Sequence, residues 1–167
     1  PHGAGVLGRS GTPVASWFMK QADLLVVFGA SFSNHTGITT GKPIIQVDFD
    51  RMALGKFHPV DEPVWGEIGM TAELLHDRLA DAGDWTDQTA ELSQRWASWR
   101  EEKRRREGQD NGDGINSALI FRHLQELVPE DAVLPVDVGN NTYSFGRYFE
   151  CARQSVIMSG YLGSIGF

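Results

Sequence analysis

Thiols are almost missing from this chain: Cys151 is the single cysteine in 167 residues, so neither an internal disulfide framework nor a multi-cysteine zinc site can be built from it. Basic charge is also short, with 15 Lys and Arg against 22 Asp and Glu and a net charge of −7. Nucleic acids and anionic membranes are bound through surplus cations, and that surplus is lacking. No apolar run approaches the roughly 20 residues of a membrane span. The five histidines, His2, His35, His58, His76 and His123, are scattered, with no pair at metal-ligand spacing on one helix face. The expectation is a cytoplasmic protein that binds neither nucleic acid nor membrane. Pro1 stands where an initiator Met would, and no signal-peptide pattern follows, so upstream sequence is expected.

What remains is ordinary for a folded chain, 41% hydrophobic and 22% charged. Period and punctuation alternate between helix and strand, which predicts an α/β class. Thr12-Pro13 reads as a helix start, with Val14, Trp17, Phe18 and Ala22 on the apolar face. The continuous apolar run Leu24 through Phe28, closed by Gly29, predicts a strand buried on both faces. Residues 44–48 (IIQVD) repeat that pattern after Gly41-Lys42-Pro43. Residues 31–40 between them form a polar loop at a strand's carboxyl end, where open α/β sheets place ligands. A short strand over 63–68 and a helix over 71–82 complete the first part.

Composition then shifts. Residues 84–106 carry Trp85, Leu92, Trp96 and Trp99 among many charges and predict an exposed helix; residues 107–114 hold no apolar side chain and predict a linker. The basic run 100–106 reads as a solvated helix end rather than an anion site, because Glu101/Arg105 and Glu102/Arg106 fall at ion-pairing spacing. Trp65, Trp85, Trp96 and Trp99 read as packing or subunit-contact residues, and Cys151 as a structural thiol. A second unit follows: helix 116–128, strand 132–137, helix 142–149 and strand 155–158.

Two motifs are deceptive. Gly3-Ala4-Gly5-Val6-Leu7-Gly8 matches the G-x-G-x-x-G dinucleotide fingerprint, yet no strand precedes it and the helix starts only at Thr12. It reads as a glycine-rich surface loop. Gly112-Asp113-Gly114 falls ahead of the second unit's first helix and reads as linker, not as the start of a magnesium motif.

The constellation with chemical content is C-terminal. A strand ending at Asp137-Val138-Gly139 and passing through Asn140-Asn141 into a helix offers backbone N–H groups and two amides to a diphosphate. The same residues suit ordinary capping, since Asn is a favoured N-cap, and spacing alone leaves both readings open. Some twenty residues on comes Gly163-Ser164-Ile165-Gly166-Phe167. That succession resembles the opening of the diphosphate-binding domain of thiamine-diphosphate-dependent enzymes, the superfamily of acetolactate synthase, pyruvate oxidase and pyruvate decarboxylase. Residues 22–30 (ADLLVVFGA) and 45–50 (IQVDFD), with Gly8, resemble that superfamily's central domain.

The resemblance implies two partial Rossmann-like α/β domains of a three-domain enzyme: 1–84 the latter part of the central domain, 85–114 helix and linker, and 115–167 the truncated start of the diphosphate domain. It implies that Gly139, Asn140 and Asn141 touch thiamine diphosphate, that backbone around Gly163, Ser164 and Ile165 meets the aminopyrimidine, and that Ile165 holds the cofactor bent. It implies a magnesium-dependent lyase or transferase that decarboxylates or joins 2-oxo acids, a homodimer or homotetramer when complete. The superfamily's glutamate and magnesium ligands lie outside these residues, so no catalytic or metal residue is assigned and the 167 residues alone are expected to be inactive. In related enzymes the central domain holds FAD, ADP or nothing. The positions that would approach a nucleotide here are Gly8, Arg9, Gly29, Ala30, Ser31 and Asp48. Loss of a cation after Gly29-Ala30 weakens the FAD reading. The alternative is a noncatalytic homologue, or a nucleotide-binding module without thiamine chemistry.

Overall fold

The computed structural model describes residues 2–30, 36–83, 86–109, 112 and 114–158. The fold is α/β with parallel sheets, and the chain divides into two compact units, residues 18–88 and residues 1–17 with 89–167.

Helix α1 (Pro13–Gln21) starts as its sequence requires: the Thr12 hydroxyl accepts from the Ala15 N–H at 3.1 Å. In the unit of residues 18–88, strands β1 (Leu25–Phe28), β2 (Ile44–Asp48) and β3 (Glu62–Trp65) form a parallel sheet in the order β1-β2-β3, with Leu25 opposite Ile44 and Val47 opposite Val64. Pro63, which has no N–H to give, sits in β3 at the sheet edge, where that loss is tolerated. Leu25 and Ile44 form the core with Met19, Ala22, Val27, Ile38 and Val60 packed on them.

Burial of β1 on both faces is not found. Val26 is 40% exposed and Leu24 45%, because among the described residues the packing falls on the alternate side chains Leu25 and Val27. β2 is the buried strand, and the polar Gln46 within it is wholly enclosed. Its amide accepts from the Gly55 N–H at 2.9 Å and donates to the Ala53 carbonyl at 3.2 Å, so the β2–β3 connection is folded around it.

Helix α2 (Ile68–Leu79) begins three residues before the predicted start at Thr71, because Glu67 caps it, accepting from Gly69 N–H at 3.0 Å and Met70 N–H at 2.6 Å. Those two bonds hold the Glu67 carboxyl below the usual carboxylate range. Thr71, the residue read as the helix start, donates its hydroxyl to the Glu67 carbonyl at 2.7 Å.

In the other unit, α3 (Thr89–Glu107), α4 (Ser117–Leu127), β4 (Val133–Val136), α5 (Asn140–Tyr148) and β5 (Ser155–Met158) follow in order. β4 and β5 pair in parallel, Val136 opposite Met158. Asn116 caps α4 through the Ala118 N–H at 2.8 Å. Val136, Phe145 and Phe149 are the buried centre, with Phe121, Leu124 and Val156 against them. The Phe145 and Phe149 rings stack at 4.9 Å and Phe121 meets Phe145 edge-on at 5.9 Å.

Candidate functional site

The turn from β4 into α5 is built by small and polar residues. Gly139 has φ +137°, and a Cβ there would come within 2.9 Å of Asn141 Oδ1, so glycine is required twice over. The Asp137 carbonyl accepts from Asn141 Nδ2 at 3.1 Å and from the Thr142 hydroxyl, while Asp137 Oδ1 accepts from the Val138 N–H at 2.7 Å. No side chain caps α5 from Gly139. Gly139, Asn140 and Asn141 are exposed at this helix start, the end of a helix whose first N–H groups have no intrahelical partner four residues back.

Asn140 and Asn141 are the first two residues of α5, whose predicted start was Thr142. The helix begins earlier because Gly139 makes the reversal and Thr142 N–H already closes on the Gly139 carbonyl at 3.2 Å. Parallel pairing puts the carboxyl end of β5, at Met158, beside Val136, just ahead of this turn. Gly163, Ser164 and Ile165 lie outside the described residues.

The residues read as approaching a nucleotide are divided between the two compact units. Gly8 and Arg9 belong to one compact unit, and Gly29, Ala30 and Asp48 to the other; Ser31 lies outside the described residues. Gly29 has φ +58°, and a Cβ on it would meet Ile68 Cδ1 at 2.6 Å, so α2 closes on this turn. Asp48 is buried, with Oδ1 accepting from the Asp50 N–H at 2.9 Å. The glycine-rich segment 3–8 is a loop held by its own unit. Thr12 Oγ1 donates to the Ala4 carbonyl at 2.7 Å, Thr12 N–H to the Val6 carbonyl at 2.8 Å and Trp96 Nε1 to the Gly3 carbonyl at 2.9 Å.

The basic run of α3 departs from the prediction. Glu102 does pair with Arg106 at 2.7 Å, but it also takes Arg105 at 2.8 Å, while Glu101 takes Arg104. Hydrogen bonds from Arg105 and Arg106 pull the Glu102 carboxyl down to about 2. Arg104 and Arg105 are solvated, as a helix end should be. Lys103, however, is only 14% exposed and, with Arg100, grips Glu150, a residue that no sequence pattern singled out. Of the tryptophans, Trp99 is buried and stacks on Tyr148 at 6.1 Å. Trp65 is exposed, donating to the Phe49 carbonyl at 2.9 Å, and Trp85 lies outside the described residues. Partial desolvation pushes the Cys151 thiol up, away from reactivity. Among the described residues no group of three or more His, Cys, Asp or Glu side chains is placed to hold a metal, and no helix is long and apolar enough to cross a membrane.

Residues 1–75 match the family described as the thiamine pyrophosphate enzyme, central domain. Along the chain the similarity extends further. A Bacillus subtilis (strain 168) protein, YdaP, provisionally named as thiamine pyrophosphate-containing, is 32% identical over 169 residues, covering 99% of this chain and 29% of that protein. The acetolactate synthase isozyme 2 large subunit of Escherichia coli (strain K12) is 28% identical over 173 residues, 100% of this chain and 30% of its own length. The chloroplastic acetolactate synthase 1 of Nicotiana tabacum is 24% identical over 177 residues, covering 97% of this chain and 25% of the tobacco protein. The chain thus spans less than a third of the length of the curated relatives it matches.

Proposed function

From a chain that belongs to the thiamine-diphosphate-dependent enzyme superfamily, on its acetolactate synthase-like side, we propose that these residues form the latter part of a central domain and the start of a diphosphate-binding domain. The whole protein, in this reading, is a cytoplasmic, magnesium-dependent homodimer or homotetramer that decarboxylates or joins 2-oxo acids. One observation supports the site above all others. It is the uncapped start of α5, where a glycine with φ +137° and two exposed asparagines follow directly from the carboxyl end of a parallel strand.

The residues fit a diphosphate in kind. N–H groups at a helix start carry partial positive charge, and the amides of Asn140 and Asn141 add donors. Gly139 keeps the approach free of a Cβ, and the Asp137 carbonyl fixes the Asn141 amide and the Thr142 hydroxyl so that the turn is preorganised. Gly163, Ser164 and Ile165 complete the proposed contacts, toward the aminopyrimidine. When bound, the cofactor supplies the thiazolium carbon on which 2-oxo acid decarboxylation depends; the protein supplies placement and electrostatics. No proton transfer falls to residues 1–167 in this reading, and by themselves they are expected to turn over no substrate.

The central portion is read as structural rather than flavin-binding. Ile68 lies against Gly29 at the end of β1, and the Asp48 carboxylate accepts from its own chain. Equilibrium binding of thiamine diphosphate to the whole protein tests the proposal. Binding that requires magnesium upholds it, whereas FAD or ADP binding without thiamine diphosphate binding favours a nucleotide-binding module.

A further inference from the structure

The carboxyl end of α5 is held by charged and amide hydrogen bonds as well as by apolar packing. Glu150, two residues beyond it, receives Arg100 in a forked arrangement, Nε at 3.1 Å and Nη2 at 2.7 Å from Oε2, and receives Lys103 Nζ on Oε1. Gln125 of α4 makes a reciprocal pair with the Glu150 backbone, Nε2 to the carbonyl at 2.9 Å and Oε1 from the N–H at 2.7 Å. Beside it, Arg106 Nη1 donates to the Tyr148 hydroxyl at 3.2 Å, and Trp99 stacks on the Tyr148 ring. Three helices therefore converge on residues 148–150, and the charge at their centre is a carboxylate only 27% exposed. Burial pushes its pKa up, but the hydrogen bonds from Arg100 and Lys103 outweigh that and hold it ionised.

An apolar cluster resists separation but is permissive of sliding and rotation, whereas forked ion pairs and paired amide bonds fix one register. A helix of nine residues is about 13 Å long and transmits that register from one end to the other. We infer that Glu150, clamped by Arg100, Lys103 and Gln125, is a positioning residue for the diphosphate cradle at Gly139–Asn141, an inference that rests on the function proposed above.

The test measures magnesium-dependent thiamine diphosphate binding to the whole protein in four variants. Glu150→Gln, which keeps the size and removes the charge, is expected to weaken binding about tenfold. Arg100→Gln/Lys103→Gln should reproduce that loss with Glu150 intact, and all three changes together should add little more, because they remove one shared interaction. Leu25→Ala, in the core of the other compact unit, is the control, expected to lower Tm and to leave affinity unchanged. Wild-type protein that binds no thiamine diphosphate overturns both this inference and the proposed function. Wild-type binding that Glu150→Gln and the Arg100/Lys103 pair leave unchanged overturns the positioning role alone, as does a loss that Leu25→Ala matches at equal Tm.

Discussion

A Cβ is the smallest perturbation that tests this structure, and three glycines respond to it for different reasons. At Gly29 both the positive φ and the approach of Ile68 Cδ1 oppose it, so Gly29→Ala should cost about 1–3 kcal/mol in urea unfolding. Ile68→Val, which removes Cδ1, should relieve the steric part and leave the backbone part. Gly146 is helical, and its Cβ would fall 2.4 Å from the Ser10 carbonyl oxygen, a backbone atom that cannot rotate aside. Gly146→Ala is expected to destabilise by about 1–3 kcal/mol, with faster amide exchange across residues 4–12 as the loop is displaced. At Gly139 the Cβ would meet the Asn141 amide oxygen, so the penalty there falls on the proposed cradle itself.

At the scale of elements, caps and charges decide where helices begin and how they dock. Asn116→Ala removes the α4 cap and should cost about 1 kcal/mol by thermal unfolding. The carboxylates on and against α3 predict the pH dependence. Glu102 and Glu150 both have lowered pKa values in the folded protein, so near pH 4 the unfolded chain binds more protons and stability rises with pH. Their contribution is complete above the ordinary carboxylate range. It is lost as pH falls through the folded values, down to about 2 for Glu102. Urea midpoints measured from pH 7 to pH 3 should fall, and Glu150→Gln should flatten the slope.

Elements were legible where a local rule was sufficient. Thr12-Pro13 and the apolar runs of β1 and β2 mark their elements in sequence, though not the one-sided burial of β1, and residues 155–158 form the strand read from them. The start of α2 was hidden because a glutamate cap lacks the signature of Ser, Thr, Asp or Asn, and Thr71 supplied a competing signal three residues late. The enclosure of Gln46 and the convergence on Glu150 were invisible for a different reason. Their partners lie seven to fifty residues away, at Ala53, Gly55, Lys103 and Arg100, and no spacing rule connects them. The Gly139-Asn140-Asn141 turn was legible as a helix start, but its positive φ and the engagement of Asn141 by the Asp137 carbonyl required the folded geometry.

The whole molecule poses the question of what each α/β portion holds. Residues 1–75 match a domain family whose name carries thiamine pyrophosphate, while Ile68 lies against Gly29 after β1 and the Asp48 carboxylate at the end of β2 accepts from the Asp50 N–H. The purified whole protein is therefore expected to be colourless and to retain no added FAD; flavin absorbance surviving gel filtration would contradict that. In the other portion, Gly139, Asn140 and Asn141 are the proposed seat of the cofactor's diphosphate. Calorimetric titration of the whole protein with thiamine diphosphate and magnesium, wild type against Gly139→Ala, tests it most directly. Saturable, magnesium-dependent binding is expected, weakened by about tenfold or more in a variant that remains folded. Absence of binding by the wild-type protein, or equal affinity in the two, would contradict it.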